Sequence, residues 1–290
     1  MGDADALRRF FIEHSRVRGE LVQLDATWRT LLERSEYPEP VREVLGEALA
    51  AVALLAATVK LDGSMSLQMN GEGPLKLLVV QASRRTQLRG LARWEGSVPR
   101  GPLRELLGPG RLAITIDPGE GGRRYQGIVD VARDSVADVV GDYFDRSEQL
   151  PTRLWLACDA RRAAGLLLQN LPGDSPDEDA WRRSVHLAST VTRKELLALP
   201  APRLLRRLFY EEDVRLFSGD PLYFRCGCSR DRVSAMLGAL GEGQVKSTLA
   251  EEGVISVRCE FCNAAYEFDA VDVEQLFAAR GQPQVGDTRH

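Results

Sequence analysis

The sequence predicts an α+β protein in three parts. These are a mixed α/β N-terminal core domain over residues 1–175 with a buried central helix, a helical linker over 176–225, and a small C-terminal module over 226–290. Three observations predict it. Val41 to Lys60 is apolar over most of its helical surface, and such a helix belongs inside something. Runs of strand periodicity separated by glycine-rich turns follow it. Four of the five cysteines fall in the 37 residues from Cys226 to Cys262.

The elements follow in order. Leu7 to Leu32 reads as a helix broken near Gly19, and Tyr37-Pro38-Glu39-Pro40 as a loop before the central helix. Met65, Leu67 and Met69 alternate with polar residues, which is period two, and Gly71-Glu72-Gly73-Pro74 is a turn. Leu75 to Gln81 and Leu88 to Trp94 continue as strands. Leu112 to Ile116 and Tyr125 to Val131 form a pair joined by a turn with Gly119, Gly121 and Gly122. Val136, Val139, Val140, Tyr143 and Phe144 share a helical face, with Ser135 as the cap. Arg153 to Cys158 is a returning strand. The acidic, turn-rich run from Gly173 to Asp179 marks a domain boundary. Beyond it, Trp181 to Tyr210 has a helical pattern interrupted by Pro200 and Pro202, with high mixed charge and a sparse apolar face. Such a segment folds only by docking, and its stability is expected to be marginal.

Bulk properties exclude several classes. The chain has 290 residues, a net charge of −4 and a pI of about 5.6. That balance argues against general affinity for nucleic acid or anionic membranes. The N-terminus lacks the apolar run of a signal peptide. The apolar stretch Ala48 to Ala57 spans ten residues, where a membrane span needs about 20. A cytoplasmic protein is expected. His14, His186 and His290 stand in no catalytic pattern, and there is neither a Walker loop nor a dinucleotide fingerprint. Cys158, in an apolar strand, reads as a packed residue. No enzyme is expected.

The cysteines carry the chemistry. Cys226-Gly227-Cys228 is followed, after 30 residues, by Cys259-Glu260-Phe261-Cys262. Two paired sets of thiolates supply the four soft ligands of a tetrahedral zinc site. Val254 to Arg258 and Ala265 to Phe268 flank the second pair as a hairpin round the metal. Ser229 caps a helix whose Val233, Met236, Leu237 and Leu240 share a face, with Gly241 past its end. A module of this size depends on its metal for much of its folding free energy, on the order of 10 kcal/mol. Three readings stand beside one another: structural zinc, a nucleic-acid-binding ribbon, and a thiol switch. Between Glu211 and His290 there are 8 basic and 14 acidic residues, which disfavours the ribbon. In the switch, Cys226 with Cys228, and Cys259 with Cys262, are disulfide partners by proximity. Spacing alone does not separate structural zinc from a switch.

The run from Glu211 to Phe217, the run Phe224-Arg225-Cys226-Gly227-Cys228-Ser229-Arg230-Asp231-Arg232-Val233, and Cys259 to Cys262 with Tyr266 and Phe268 resemble the redox-regulated heat-shock holdase of bacteria, the thirty-three-kilodalton chaperonin family. Val17 to Val22, Gly71 to Leu75, Tyr143-Phe144 and Ser147 to Thr152 are similar to that family's N-terminal motifs. The resemblance spans nearly the whole chain. It implies an ATP-independent chaperone for unfolding client proteins, inactive while reduced and bound to one zinc per chain. Oxidation would form two disulfides, release zinc and unfold the module and the linker, and the active form would be a homodimer. Cys226, Cys228, Cys259 and Cys262 would be both ligands and sensors, and Cys158 receives no role. A constitutive zinc-stabilised binding protein without a switch is the alternative.

Overall fold

The computed structural model describes residues 5–281 except Lys60, Leu61, Glu120 and Ser175. Expectations touching residues 1–4, those four positions and residues 282–290, His290 among them, lie outside the described residues. The chain divides into two compact units, Met1–Arg225 and Cys226–His290.

In the larger unit, the first expected helix is instead a hairpin: β1 (Ala6–Ile12) and β2 (Val17–Leu24), then a short helix α1 (Ala26–Leu32). The reason is visible in the packing. Val17 and Leu21 on one face of β2 and Val22 and Leu24 on the other are all buried. A strand covered on both faces loses its period-two signature. Gly19 is no helix breaker. A Cβ there would lie 2.0 Å from Cζ of Phe10, so the glycine lets that ring lie across the strand. We expect Gly19→Ala to cost about 1–3 kcal/mol through overpacking. The midpoint of urea unfolding checks this.

The central helix α2 (Glu39–Thr58) starts with Pro40 in its first turn and ends where Val59 becomes extended. It packs on β2, β8 (Thr152–Cys158) and β9 (Ala163–Asn170) on one side. On the other it packs on β3 (Ser64–Gly71), β4 (Leu75–Ser83) and β5 (Gln87–Trp94). Its alanines permit this close double approach. Its C-terminal carbonyl groups are capped from β1, where Nη2 of Arg9 donates to the Ala57 oxygen at 3.0 Å.

Two six-stranded sheets thus sandwich one helix. The first has the order β10-β1-β2-β9-β8, with β11 also paired to β1; the second has the order β12-β5-β4-β3-β6-β7. Here β6 is Gly110–Asp117, β7 Tyr125–Asp130, β10 Val214–Leu216, β11 Asp220–Pro221 and β12 Tyr223–Phe224. Helices α3 (Leu103–Leu107) and α4 (Val136–Tyr143) complete this core, and Ser135 caps α4 as expected, accepting from the Asp138 N–H.

Residues 176–225 lie within the larger unit. Helices α5 (Ala180–Ala188), α6 (Arg193–Ala198) and α7 (Ala201–Leu208) cover the face of the first sheet that points away from α2. Phe10, Ile12, Leu166 and Leu168 of the sheet meet Leu204 and Leu208 of α7 in a second apolar cluster. After Leu208 the segment becomes strand, and β10 to β12 pair with β1 and β5. Each helix is shorter than the roughly 12–15 residues that an isolated helix needs, so each depends on docking. Polar ties reinforce the contact. Nε2 of Gln23 donates to the Leu199 oxygen at 2.8 Å, and Nη1 of Arg162 donates to the Leu197 oxygen at 3.1 Å. A reciprocal Thr192–Glu195 capping box starts α6. We expect Thr192→Ala to weaken α6 locally by about 1 kcal/mol, read as faster amide exchange over residues 193–198.

The smaller unit holds α8 (Arg230–Leu240), α9 (Glu242–Glu252), the hairpin β13 (Ile255–Arg258) with β14 (Ala265–Phe268), and α10 (Ala270–Gly281). Ser229 accepts from the Arg232 N–H as the α8 cap, and Gly241 ends the helix at a φ of +95°. Among the described residues the buried cluster is Val233, Leu237, Val245, Ile255, Phe268 and Val273. Met236 and Leu240, expected on the buried face, are exposed. So small a core accepts one narrow stripe of α8. Among the described residues no helix is long and apolar enough to cross a membrane.

Candidate metal centre

Two chain turns bring the cysteines together. Cys226 and Cys228 precede the capped start of α8. Cys259 and Cys262 sit in the turn between β13 and β14, closed by Cys259 N–H to the Ala264 oxygen at 2.9 Å and Asn263 N–H to the Cys259 oxygen at 2.7 Å. Asn263 takes the left-handed conformation, φ +62°, that this turn demands and that asparagine tolerates. All four Sγ atoms lie within 4.8 Å of one another. Cys226 and Cys259 approach to 3.6 Å, and Cys228 and Cys262 to 3.2 Å. Zinc–sulfur bonds near 2.3 Å at tetrahedral angles place sulfurs about 3.8 Å apart, so the four residues fit such an ion.

The electrostatics keep the thiols neutral unless a cation compensates their charge. Burial first, then hydrogen bonding to the neighbouring cysteines, pushes the Cys262 thiol up to about 12. Four thiolates cannot coexist in this volume unless a divalent ion neutralises them. Zinc bound here would supply the crosslink between the two chain turns and hold the thiols as thiolates.

The surroundings fix the turns. The Tyr266 hydroxyl donates to Sγ of Cys228 at 3.1 Å. Arg232 donates to the Gly227 oxygen inside the first cysteine pair. Arg230 lies over the Phe268 ring, 4.4 Å from its centroid, donates to the Glu267 oxygen at 2.8 Å and pairs with Asp272 at 2.7 Å. It thereby ties the start of α8 to the hairpin and to α10. The roles of Tyr266 and Arg232 toward the cysteines are not readable from spacing, because both contacts depend on how the turns fold.

The remaining candidates do not join this centre. Cys158 is fully buried against α2, where a Cβ on Gly46 would lie 2.2 Å from its sulfur. Burial raises its thiol well above the ordinary value. His14 and His186 are exposed, in the β1–β2 turn and on α5. The Gly73 N–H is already bonded to the Leu107 oxygen at 2.6 Å, which makes the Gly71–Pro74 turn a structural contact.

Comparison with known proteins gives one answer throughout. A family model described as "Hsp33 protein" matches residues 5–269. The chain is 52% identical over 290 residues to a protein of Nitrosococcus oceani named "33 kDa chaperonin", with 100% of both covered. It is 48% identical to the protein of that name from Methylobacillus flagellatus, over 99% of each. The crystal structure of a 33 kDa chaperonin from Thermotoga maritima shares the fold, with a TM-score of 0.82 at 20% identity, over 95% of this chain and 99% of that one.

Proposed function

The chain belongs to the Hsp33 family, and from that we propose that it is an ATP-independent holding chaperone switched on by oxidation of its four-cysteine centre. The observation that carries the reading is the convergence of four thiols in a unit whose buried core, among the described residues, is six side chains. Such a unit depends on its ligand for folding. Its ligands are also its oxidisable groups.

The chain's own residues then act as follows. Reduced Cys226, Cys228, Cys259 and Cys262 hold zinc and keep residues 226–281 folded. Oxidation joins Cys226 to Cys228 and Cys259 to Cys262, withdrawing all four ligands. The close contacts between Cys226 and Cys259 and between Cys228 and Cys262 do not decide the pairing, since a tetrahedral cluster makes every pair near. The pairing proposed here follows the proximity of the two cysteines in each pair along the chain. Cys226 directly follows Arg225, whose N–H bonds to the Leu88 oxygen at 3.0 Å at the end of the linker. Loss of the smaller unit frees that end. The linker, residues 176–225, is built of three short docked helices and two- or three-residue strands. Its release would uncover the apolar face of the first sheet for unfolding client proteins. The active species is a homodimer in this reading, working in the cytoplasm, with neither nucleic acid nor membrane as a partner.

The test compares zinc content, free thiols and suppression of a heat-unfolding client's aggregation before and after peroxide with warming. The expected result is zinc loss, thiol loss and a rise in suppression together. Zinc loss without any rise contradicts the holdase. Retained zinc with intact thiols contradicts the switch and leaves a constitutive zinc-stabilised binder.

A further inference from the structure

We propose that Tyr266 is a positioning residue of the four-thiol centre, whose phenol slows oxidation by donating a hydrogen bond to the Cys228 sulfur. The inference rests on the redox reading above and deepens it by naming a residue that tempers one of the four sulfurs.

The geometry is specific. Tyr266 stands on β14 opposite Val257 in the hairpin register, and its ring packs against the small buried core. From there Oη reaches Sγ of Cys228 at 3.1 Å, across 38 residues of chain. The bond therefore links the hairpin half of the centre to the half before α8. A phenol is a strong donor and a thiolate a charged acceptor, so the bond is of the charge-assisted kind.

In oxidation by a peroxide, a thiolate lone pair attacks one peroxide oxygen and the O–O bond breaks. The departing oxygen takes a proton and leaves as water, and the sulfur becomes a sulfenic acid. A second thiolate attacks that sulfur, forms the S–S bond and expels hydroxide, which is protonated to a second water. Two electrons pass from the two sulfurs to the peroxide. At Cys228 the attacking electron density is the density to which the phenol donates. A hydrogen bond that steadies a thiolate makes it a poorer nucleophile, by roughly half of the stabilisation it provides. For a bond to a charged acceptor this corresponds to an attack about three- to tenfold slower.

The experiment uses the full reduced, zinc-loaded chain and hydrogen peroxide. Zinc release is followed with a chromophoric chelator, and Cys228 by alkylation and mass spectrometry after quenching. Tyr266→Phe keeps the ring and removes the donor. We expect it to bind one zinc and to release it about three- to tenfold faster, with Cys228 lost correspondingly sooner. Replacing Tyr266 by 3-fluorotyrosine, whose hydroxyl is a stronger donor, is expected to slow both. A merely structural tyrosine would not give opposite signs for the two changes. Equal rates in all three proteins, or faster release with the fluorinated residue, overturn the proposal. If Tyr266→Phe holds less than one zinc, the fluorotyrosine comparison alone decides. A wild-type chain that keeps zinc and thiols under peroxide overturns the redox reading itself, and this inference with it.

Discussion

Replacing Cys259 and Cys262 together by serine is expected to unfold residues 226–281 while leaving α2 and its two flanking sheets folded. Serine hydroxyls do not ionise at neutral pH and do not replace thiolates as zinc ligands. Under the proposed function the variant therefore forfeits metal binding, on the order of 10 kcal/mol for a structural zinc site. What remains is the cluster around Leu237, Ile255 and Phe268 and surface pairs such as Arg230–Asp272. Exposed pairs of this kind contribute about 0–1 kcal/mol each. That loss exceeds a small unit's whole margin. The larger unit has its own core around Trp28, Leu45, Leu49 and Leu54, all fully buried. Zinc stoichiometry, and amide exchange resolved between residues 5–174 and 226–281, check the result. Under the proposed mechanism the same variant suppresses client aggregation without oxidant.

Under the same proposal, Leu204→Asp is expected to produce the active surface by a different route, in reduced protein with zinc still bound. Leu204 is fully buried where α7 meets the first sheet. Truncating such a leucine costs about 2–5 kcal/mol. Placing an unpaired carboxylate there adds a desolvation penalty of several kcal/mol that undocking relieves. Helices of six to nine residues have no stability of their own to resist it. The α2 face of the sheet is untouched, because residues such as Val22, Leu24 and Leu167 belong to the other cluster. The measurement is limited proteolysis of the reduced variant together with client-aggregation assays. Fast cleavage between Asp177 and Arg225, a stable larger fragment and suppression without peroxide are the expected outcome.

How much of this was legible in the sequence depended on the range of the interactions involved. The central helix was legible because its apolar surface runs all round, and the strands from Met65 to Val131 because one face of that sheet stays polar. The cysteine centre was legible because ligand chemistry and local turns specify it. Several features were hidden. The β1–β2 hairpin is covered on both faces, and Gly19 imitates a helix breaker while making room for Phe10. Strands β10 to β12 are two or three residues long and exist only through pairing with β1 and β5. Helix α9 has a single buried residue, Val245, too little for a periodic signal. The hydrogen bond from Tyr266 to Cys228 was out of reach for the same reason, since it joins residues brought close only by the finished fold.

The central claim is that the state of four thiols governs whether one face of the first sheet is covered. Hydrogen–deuterium exchange on the full chain tests this most directly, comparing the reduced, zinc-loaded protein with the same protein after peroxide and warming. The account predicts that amides of α5 to α7, residues 180–208, lose protection on oxidation while those of α2, residues 39–58, keep theirs. Unchanged protection over residues 180–208 after complete zinc loss and disulfide formation would contradict it.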